Sequence, residues 1–301
     1  MDAQAPMTRN FSARVAQVGA DLPLRAAGFI VTLYGDVVVP RGGEVWIGTI
    51  IETCATVGIS ETLVRTAVSR LVAAGQLEGW RRGRRGFYRL SGAAQAEFEA
   101  AARLIYGPPE PWRWRFVHLP EAESEAQMAR LESHGFARLR PHLAVGLARG
   151  PVPTGVLAFD ADPSGALELL PGFAAQVWDL APHARAYRDL IARFAPLEGM
   201  QGTGAESLAA RLLLVHAWRQ ALLHDPRLPA AALPTEWAGH AARTLFHRLY
   251  AALSPAADSH IGARFEAASG MLATTTAATQ ARSTAMNDQQ PQGLPEGAWC
   301  R

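Results

Sequence analysis

The chain contains no lysine: all 29 of its Lys+Arg positions among 301 residues are arginine. A single arginine therefore carries little information, and only a local concentration of them does. Cysteine is almost as scarce. Cys54 falls on the apolar face of an expected helix and Cys300 is the penultimate residue, which excludes a disulfide framework and reads as two free thiols in a reducing cytoplasm. Long apolar runs are missing too, since stretches such as LLLV at 212–215 fall far short of the ~18 to 20 residues of a membrane-spanning helix. The first twenty residues lack the apolar centre of a secretory signal and read as a loose arm. No HExxH, CxxC or His-x-His pattern occurs, so His118 and the pairs His216/His224 and His240/His247 read as structural or solvated, and neither metal nor cofactor is implied.

What is present is an ordinary globular composition, 49% hydrophobic and 19% charged, long enough for two or three domains. The formal net charge is only +2, but it is unevenly placed. Gly58 to Leu90, GISETLVRTAVSRLVAAGQLEGWRRGRRGFYRL, holds seven arginines (Arg65, Arg70, Arg81, Arg82, Arg84, Arg85, Arg89) against two acids, Glu61 and Glu78. Such a local basic cluster points to a polyanionic partner.

The pattern around the cluster gives it a shape. LPLRAAGFIVTLY (22–34) reads as a helix ended by the breaker pair Gly35-Asp36, VVVPRGG as an extended connection, and EVWIGTIIETCATVG as a second helix. Ser60 is placed to cap a third helix with Glu61 in its first turn, and Gly75 to stop it. Its apolar stripe is Val64, Ala67, Val68, Leu71 and Val72; the opposite side carries Thr62, Thr66, Ser69 and Ala73, flanked by Arg65 and Arg70. LEGWRR and GFYRL then read as a hairpin turning at Gly83-Arg84-Arg85-Gly86.

Beyond the linker Gly107-Pro108-Pro109-Glu110-Pro111, WRWRFVHLP, FARLRPHLAVGLAR, GVLAFDA and AQVWDL read as strands, with helices at EAESEAQMARLESHG and SGALELLPGFA. That β-α-β-β-α-β order is the pattern of a ferredoxin-like sandwich. Long helical segments follow from Pro182 onward, and the chain from about Ser269 reads as a disordered tail. The expected fold class is thus α+β and multidomain: a winged helix-turn-helix at 22–107, a ferredoxin-like α/β sandwich at 108–182 and an all-helical domain at 183–268, with 1–21 and 269–301 disordered.

Three helices followed by a hairpin is the order of a winged helix-turn-helix. Its third helix enters the ~12 Å major groove and its wing lies along the backbone or minor groove. Arg65, Thr66, Ser69 and Arg70 are then the groove-reading candidates. Arg81, Arg82, Arg84 and Arg85 are the phosphate-holding ones, on double-stranded DNA rather than RNA because no stacking sheet motif is present.

The motifs VTLYGDVVV (31–39), GGEVWIGTII (42–51), GISETLVRTAVSRLVAAG (58–75) and GRRGFYRLS (83–91) resemble the amino-terminal signature of the PaaX family of bacterial repressors. WRWRFVHLP is similar to the start of that family's Cas2-like middle domain. LLLVHAWRQALLHDPRLPAAALPTEWAGHAARTLFHRLY is similar to its helical carboxy-terminal domain. The resemblance covers about Leu22 to Leu253. It implies a homodimeric repressor, not an enzyme, that binds the operator of a phenylacetate catabolic cluster and is released by phenylacetyl-CoA.

Residues of the effector pocket are not identifiable from the sequence. Trp218, Trp237, His216 and His240 read as pocket or core, and Arg211 and Arg243 as possible partners for CoA phosphates. A DNA-binding regulator with a different effector, or none, is the alternative. A metal-dependent nuclease in the Cas2-like region is a third reading. It is weakened because the first strand ends without an acid, which leaves Asp160 and Asp162 as a lone pair.

Overall fold

The computed structural model describes residues 4–108, 111–121 and 124–288, with side chains from residue 10. Helices α1 (Gln4–Ala20) and α2 (Ala26–Leu33) open it. Gly35-Asp36 does not break α2. The chain continues through a π-helical turn, Tyr34–Val38, and a 3-10 turn, Val39–Arg41, so most of the expected extended connection is helical. The cause is tertiary: Asp36 is 1% exposed. Its carboxylate accepts hydrogen bonds from Arg211 Nε (3.0 Å), Tyr106 Oη and Tyr250 Oη (both 2.9 Å) and Arg282 Nη1 (3.2 Å). Four partners outweigh a weak local breaker signal.

Strand β1 (Glu44–Trp46), helices α3 (Ile47–Ala55) and α4 (Glu61–Ala73), strands β2 (Leu77–Arg82) and β3 (Arg85–Leu90) and helix α5 (Gly92–Tyr106) follow. Glu44–Trp46, expected to begin a helix, is a strand. It pairs antiparallel with β3 in a sheet of order β1-β3-β2, with Val45 buried beneath it. Ser60 occupies the cap position of α4 in extended conformation, although its side chain makes no capping bond. Gly75 ends the helix at φ +72°, a left-handed conformation that favours glycine.

The middle of the chain holds β4 (Trp114–His118), α6 (Ser124–Glu132), β5 (Ala137–Arg140), β6 (Leu143–Leu147) and β7 (Leu157–Ala161), in one antiparallel sheet of order β5-β6-β4-β7. FARLRPHLAVGLAR is two strands rather than one, because Pro141 lacks the N–H that an unbroken ladder needs. AQVWDL is not a strand: its first residues end α7 (Leu170–Val177), and Ala174 and Trp178 are buried four positions apart, a helical spacing. The connection from β6 to β7, residues 148–156, passes from one side of β4 to the other without a helix. Val117, Leu119, Met128, Leu131 and Ala144 form the local core.

Helices α8 (Ala181–Phe194), α9 (Gly204–His224) and α10 (Ala238–Arg264) match the helical reading of this region, and α10 runs on through Pro255. The two ends depart from expectation wherever they are described. α1 buries Phe11, Val15 and Val18 on one stripe. After α10 come strands β8 (Glu266–Ala267) and β9 (Gly270–Met271), which pair with each other, and helix α11 (Ala277–Asn287). α11 is fixed by the reciprocal capping of Thr276 and Thr279 and by Arg282. The remaining tail, with Cys300, lies outside the described residues.

The chain forms two compact units. One comprises residues 1–108, 190–219 and 243–301; the other comprises 109–189 and 220–242. The helical region is shared between them. In the first unit, Arg41, Asp258 and Arg211 extend the Asp36 cluster: Asp258 accepts from Arg41 Nη2 and Arg211 Nη1, each at 2.7 Å. Burial alone would raise the Asp36 carboxyl, but Arg211 and Arg282, with the two phenols, hold it below the usual carboxylate range.

Candidate nucleic-acid interface

Helix α4 buries Val64, Ala67, Val68 and Leu71. Val72, expected to complete the stripe, is 38% exposed, because the groove beside the hairpin leaves that edge of the helix open. The outward face carries Thr62, Thr66, Ser69 and Ala73, all exposed, with Arg65 and Arg70 on its flanks. Arg65 pairs with Glu61 one turn earlier (2.7 Å), both half exposed. Such a surface pair stabilises by only ~0.3 to 0.5 kcal/mol and is readily exchanged for another anion.

β2 and β3 turn through two residues, Gly83-Arg84, with Arg82 opposite Arg85. The turn is tighter than the four-residue Gly83–Gly86 expectation. Gly83 has φ +62°, as the first central position of a type II′ turn requires. Strand alternation then divides the arginines. Arg81 lies on the face of Gly79, Gly86 and Tyr88, and with Arg65, Ser69, Val72 and Tyr88 it borders a groove of about 360 Å³ between α4 and the hairpin. Arg82, Arg85 and Arg89 lie on the other face with Trp80 and Phe87.

The second face is already engaged. Arg89 makes two bonds to Glu78 Oε2 (3.0 and 2.8 Å) and sits 5.4 Å over the Trp80 ring. Arg85 lies 4.8 Å over the Trp46 ring and pairs with Glu266, while Arg82 donates to the carbonyl of Ala268. Glu44 accepts from the Ala268 amide. The sequence carries no local signal for these contacts, because residues 266 to 268 come more than 180 positions later. By contrast Thr66, Ser69, Arg70, Arg81 and Arg84 are exposed and make no side-chain hydrogen bond or ion pair among the described residues.

The other candidates are accounted for by packing. Trp218 stacks on Phe246 (5.1 Å, 19°), with its Nε1 donating to the Ile105 carbonyl. Trp237 and Tyr187, both of the second unit, pack edge-on. His216 is buried at 3.0 Å from Thr32 Oγ1, and burial, aided by Arg219, lowers its pKa to about 4. Arg211 is 1% exposed inside the Asp36 cluster, where a CoA phosphate cannot reach it. His118 is exposed at the end of β4. Cys54 is a buried thiol pushed up to about 12 by burial. Asp160 and Asp162 are each bound through both oxygens to one arginine, Arg115 and Arg113 respectively.

Residues 25–94 match the family model described as PaaX-like protein, and residues 178–263 match that of the PaaX-like protein C-terminal domain. The transcriptional repressor PaaX of Escherichia coli strain K12 is 31% identical over 277 residues, covering 83% of this chain and 87% of the relative. An uncharacterized protein of Mycobacterium tuberculosis aligns structurally over 84% of this chain and 97% of its own, at 21% identity and a TM-score of 0.48. The basic α4 and hairpin fall inside the first matched segment, α8, α9 and most of α10 inside the second, and the chain belongs to the PaaX family.

Proposed function

We propose that the chain is a DNA-binding transcriptional repressor of a phenylacetate catabolic gene cluster, cytoplasmic, homodimeric and without enzymatic activity. On this reading residues 22–107 work as a winged helix-turn-helix. One observation carries it: α4 offers Arg65, Thr66, Ser69 and Arg70 to solvent, and Arg65 and Ser69 border a groove whose other side presents Arg81. Arg65 and Arg70 are placed to bond guanine edges, Thr66 and Ser69 to reach bases or phosphates, and Arg81 and Arg84 to lie along the backbone. Arg82 and Arg85 join the phosphate set only when they leave Ala268 and Glu266. Two copies would set two α4 helices about one helical turn, ~34 Å, apart on a palindromic operator.

The sheet order β5-β6-β4-β7 supports reading the middle of the chain as the ferredoxin-like, Cas2-like module, with its second crossover helix replaced by the 148–156 loop. It serves as a spacer or dimerisation module, because Asp160 and Asp162 are already bound to arginines. Release from the operator follows when an aryl-acyl-CoA such as phenylacetyl-CoA binds more tightly to a conformation that cannot span both half-sites.

A gel-shift titration on the promoter of the neighbouring genes tests the reading, with phenylacetyl-CoA, phenylacetate and CoA added in turn. Binding of that promoter and its loss with phenylacetyl-CoA alone is the expected result. Failure to bind the promoter over random DNA would overturn the repressor reading, and Mg²⁺-dependent loss of the DNA itself would replace it with a nuclease.

A further inference from the structure

The β6–β7 crossover carries no helix, and its loop 148–156 borders a space beside α6. A cavity of about 660 Å³ lies there, within the range of small-molecule sites. Its floor is apolar, formed by Leu119, Leu131, Phe136 and Val156, which belong to or pack on the local core. Its charged groups are of one sign: Arg115, Arg130 and Arg149 border it beside His134, and among the described residues no carboxylate lines it.

These groups differ in how far they are committed. Arg115 is 6% exposed and is balanced by Asp160 (2.6 and 2.7 Å), with a further bond to the Gly150 carbonyl. Arg130 is exposed at the mouth and has no ion pair among the described residues. Gln127 Oε1 is shut from solvent and finds no hydrogen-bond donor. A buried acceptor without a donor is uncommon in a folded protein and implies a missing partner. Arg149 donates to the carbonyls of Pro226 (3.1 Å) and Arg227 (2.6 Å). Arg227, at φ +55°, is the non-glycine residue in left-handed conformation among the described residues, so the cavity wall is tied to a strained corner just after α9.

We infer that this cavity binds an amphiphilic organic anion, with its apolar group on Leu131 and Val156, its anionic end at Arg130 and an amide or hydroxyl donating to Gln127, and that the effector acts here. The assignment rests on the effector reading above. A ligand drawing on Arg149 bears directly on the strained corner at Arg227, which gives binding a structural consequence.

The test is isothermal titration of the full chain with phenylacetyl-CoA, phenylacetate and CoA. Arg130→Glu reverses the charge at the mouth and Thr154→Trp fills it, both at exposed positions; thermal unfolding confirms that each variant is folded. The expected result is binding of phenylacetyl-CoA by the wild type, weakened tenfold or more in both variants. If both folded variants bind like the wild type, the cavity assignment is wrong while the effector reading stands. If the wild type binds none of the three compounds, both fail together.

Discussion

Arg85, at the start of the second strand of the basic hairpin, is paired with Glu266, 181 residues further along the chain. Both side chains keep solvent access, at 51% and 33%. An exposed pair of this kind stabilises by ~0 to 1 kcal/mol, so Glu266 occupies Arg85 without holding it strongly. Glu266→Gln is therefore expected to leave the unfolding midpoint nearly unchanged. Freeing Arg85 for a phosphate should steepen the dependence of log K on log salt by about one unit. An unchanged slope would restrict Arg85 to holding the carboxy-terminal segment.

Arg84 and Arg81 differ from Arg85 in having no ion pair among the described residues. Arg84→Ala should weaken binding to operator and random DNA alike and reduce the salt slope by about one unit. Arg65→Ala should instead relax sequence preference, with ~1 to 3 kcal/mol lost on the operator and little on random DNA. Competition binding at two salt concentrations separates the two effects. If neither variant changes affinity or slope, α4 and the hairpin are not the DNA surface.

Asp36 is the acceptor for two arginines and two tyrosines in the buried cluster. Asp36→Asn leaves Arg211 and Arg282 without their shared countercharge, and is expected to cost about 3 to 5 kcal/mol in urea unfolding. Asp36→Asn combined with Arg282→Met should cost less than the sum of the single changes, since the two residues act as one unit. Because the Asp36 carboxyl is held low, its contribution is present above the ordinary carboxylate pKa of about 3.9 and is lost only as pH falls through the lower folded value.

His216 and His247 are both buried. Burial first, with Arg219 and Arg243 respectively, lowers each pKa to about 4 from the ordinary imidazole value of about 6.5. Between these two values the unfolded chain binds protons that the folded chain refuses, so stability is full above about pH 6.5 and declines as pH falls toward 4. The upper limit is about 3 kcal/mol for each histidine. Urea midpoints measured from pH 7.5 to 4.5 should show the decline, and His216→Gln should flatten it. A midpoint independent of pH across that window would contradict the buried neutral state of both rings.

Much of α4 and the basic hairpin was legible locally. The spacing of Val64, Ala67, Val68 and Leu71, Gly75 as the stop and the hairpin of LEGWRR and GFYRL each depend on neighbours within a few residues, and each matches the structure. Strand alternation already separates Arg81 from Arg82 and Arg85. The stripe of Phe11, Val15 and Val18 was legible as well, although the first twenty residues read as a loose arm.

Other features could not be read that way. Gly35-Asp36 is a breaker in any local reading, and stays helical only because Arg211, Tyr250 and Arg282 converge on Asp36 from distant segments. The polar segment 277–287 has little apolar periodicity to announce a helix, and is ordered by a capping pair and by Arg282 reaching the Gly35 and Asp36 carbonyls.

By itself the sequence determined the family, the α+β class and the basic α4 with its hairpin, because those follow from short-range pattern and local charge. Only the tertiary structure decided which arginines are open to a partner, that the carboxy-terminal segment holds Arg82 and Arg85, and that a helix-less crossover leaves a basic-rimmed cavity. Those properties depend on pairings between residues far apart in the chain, and no local periodicity encodes them.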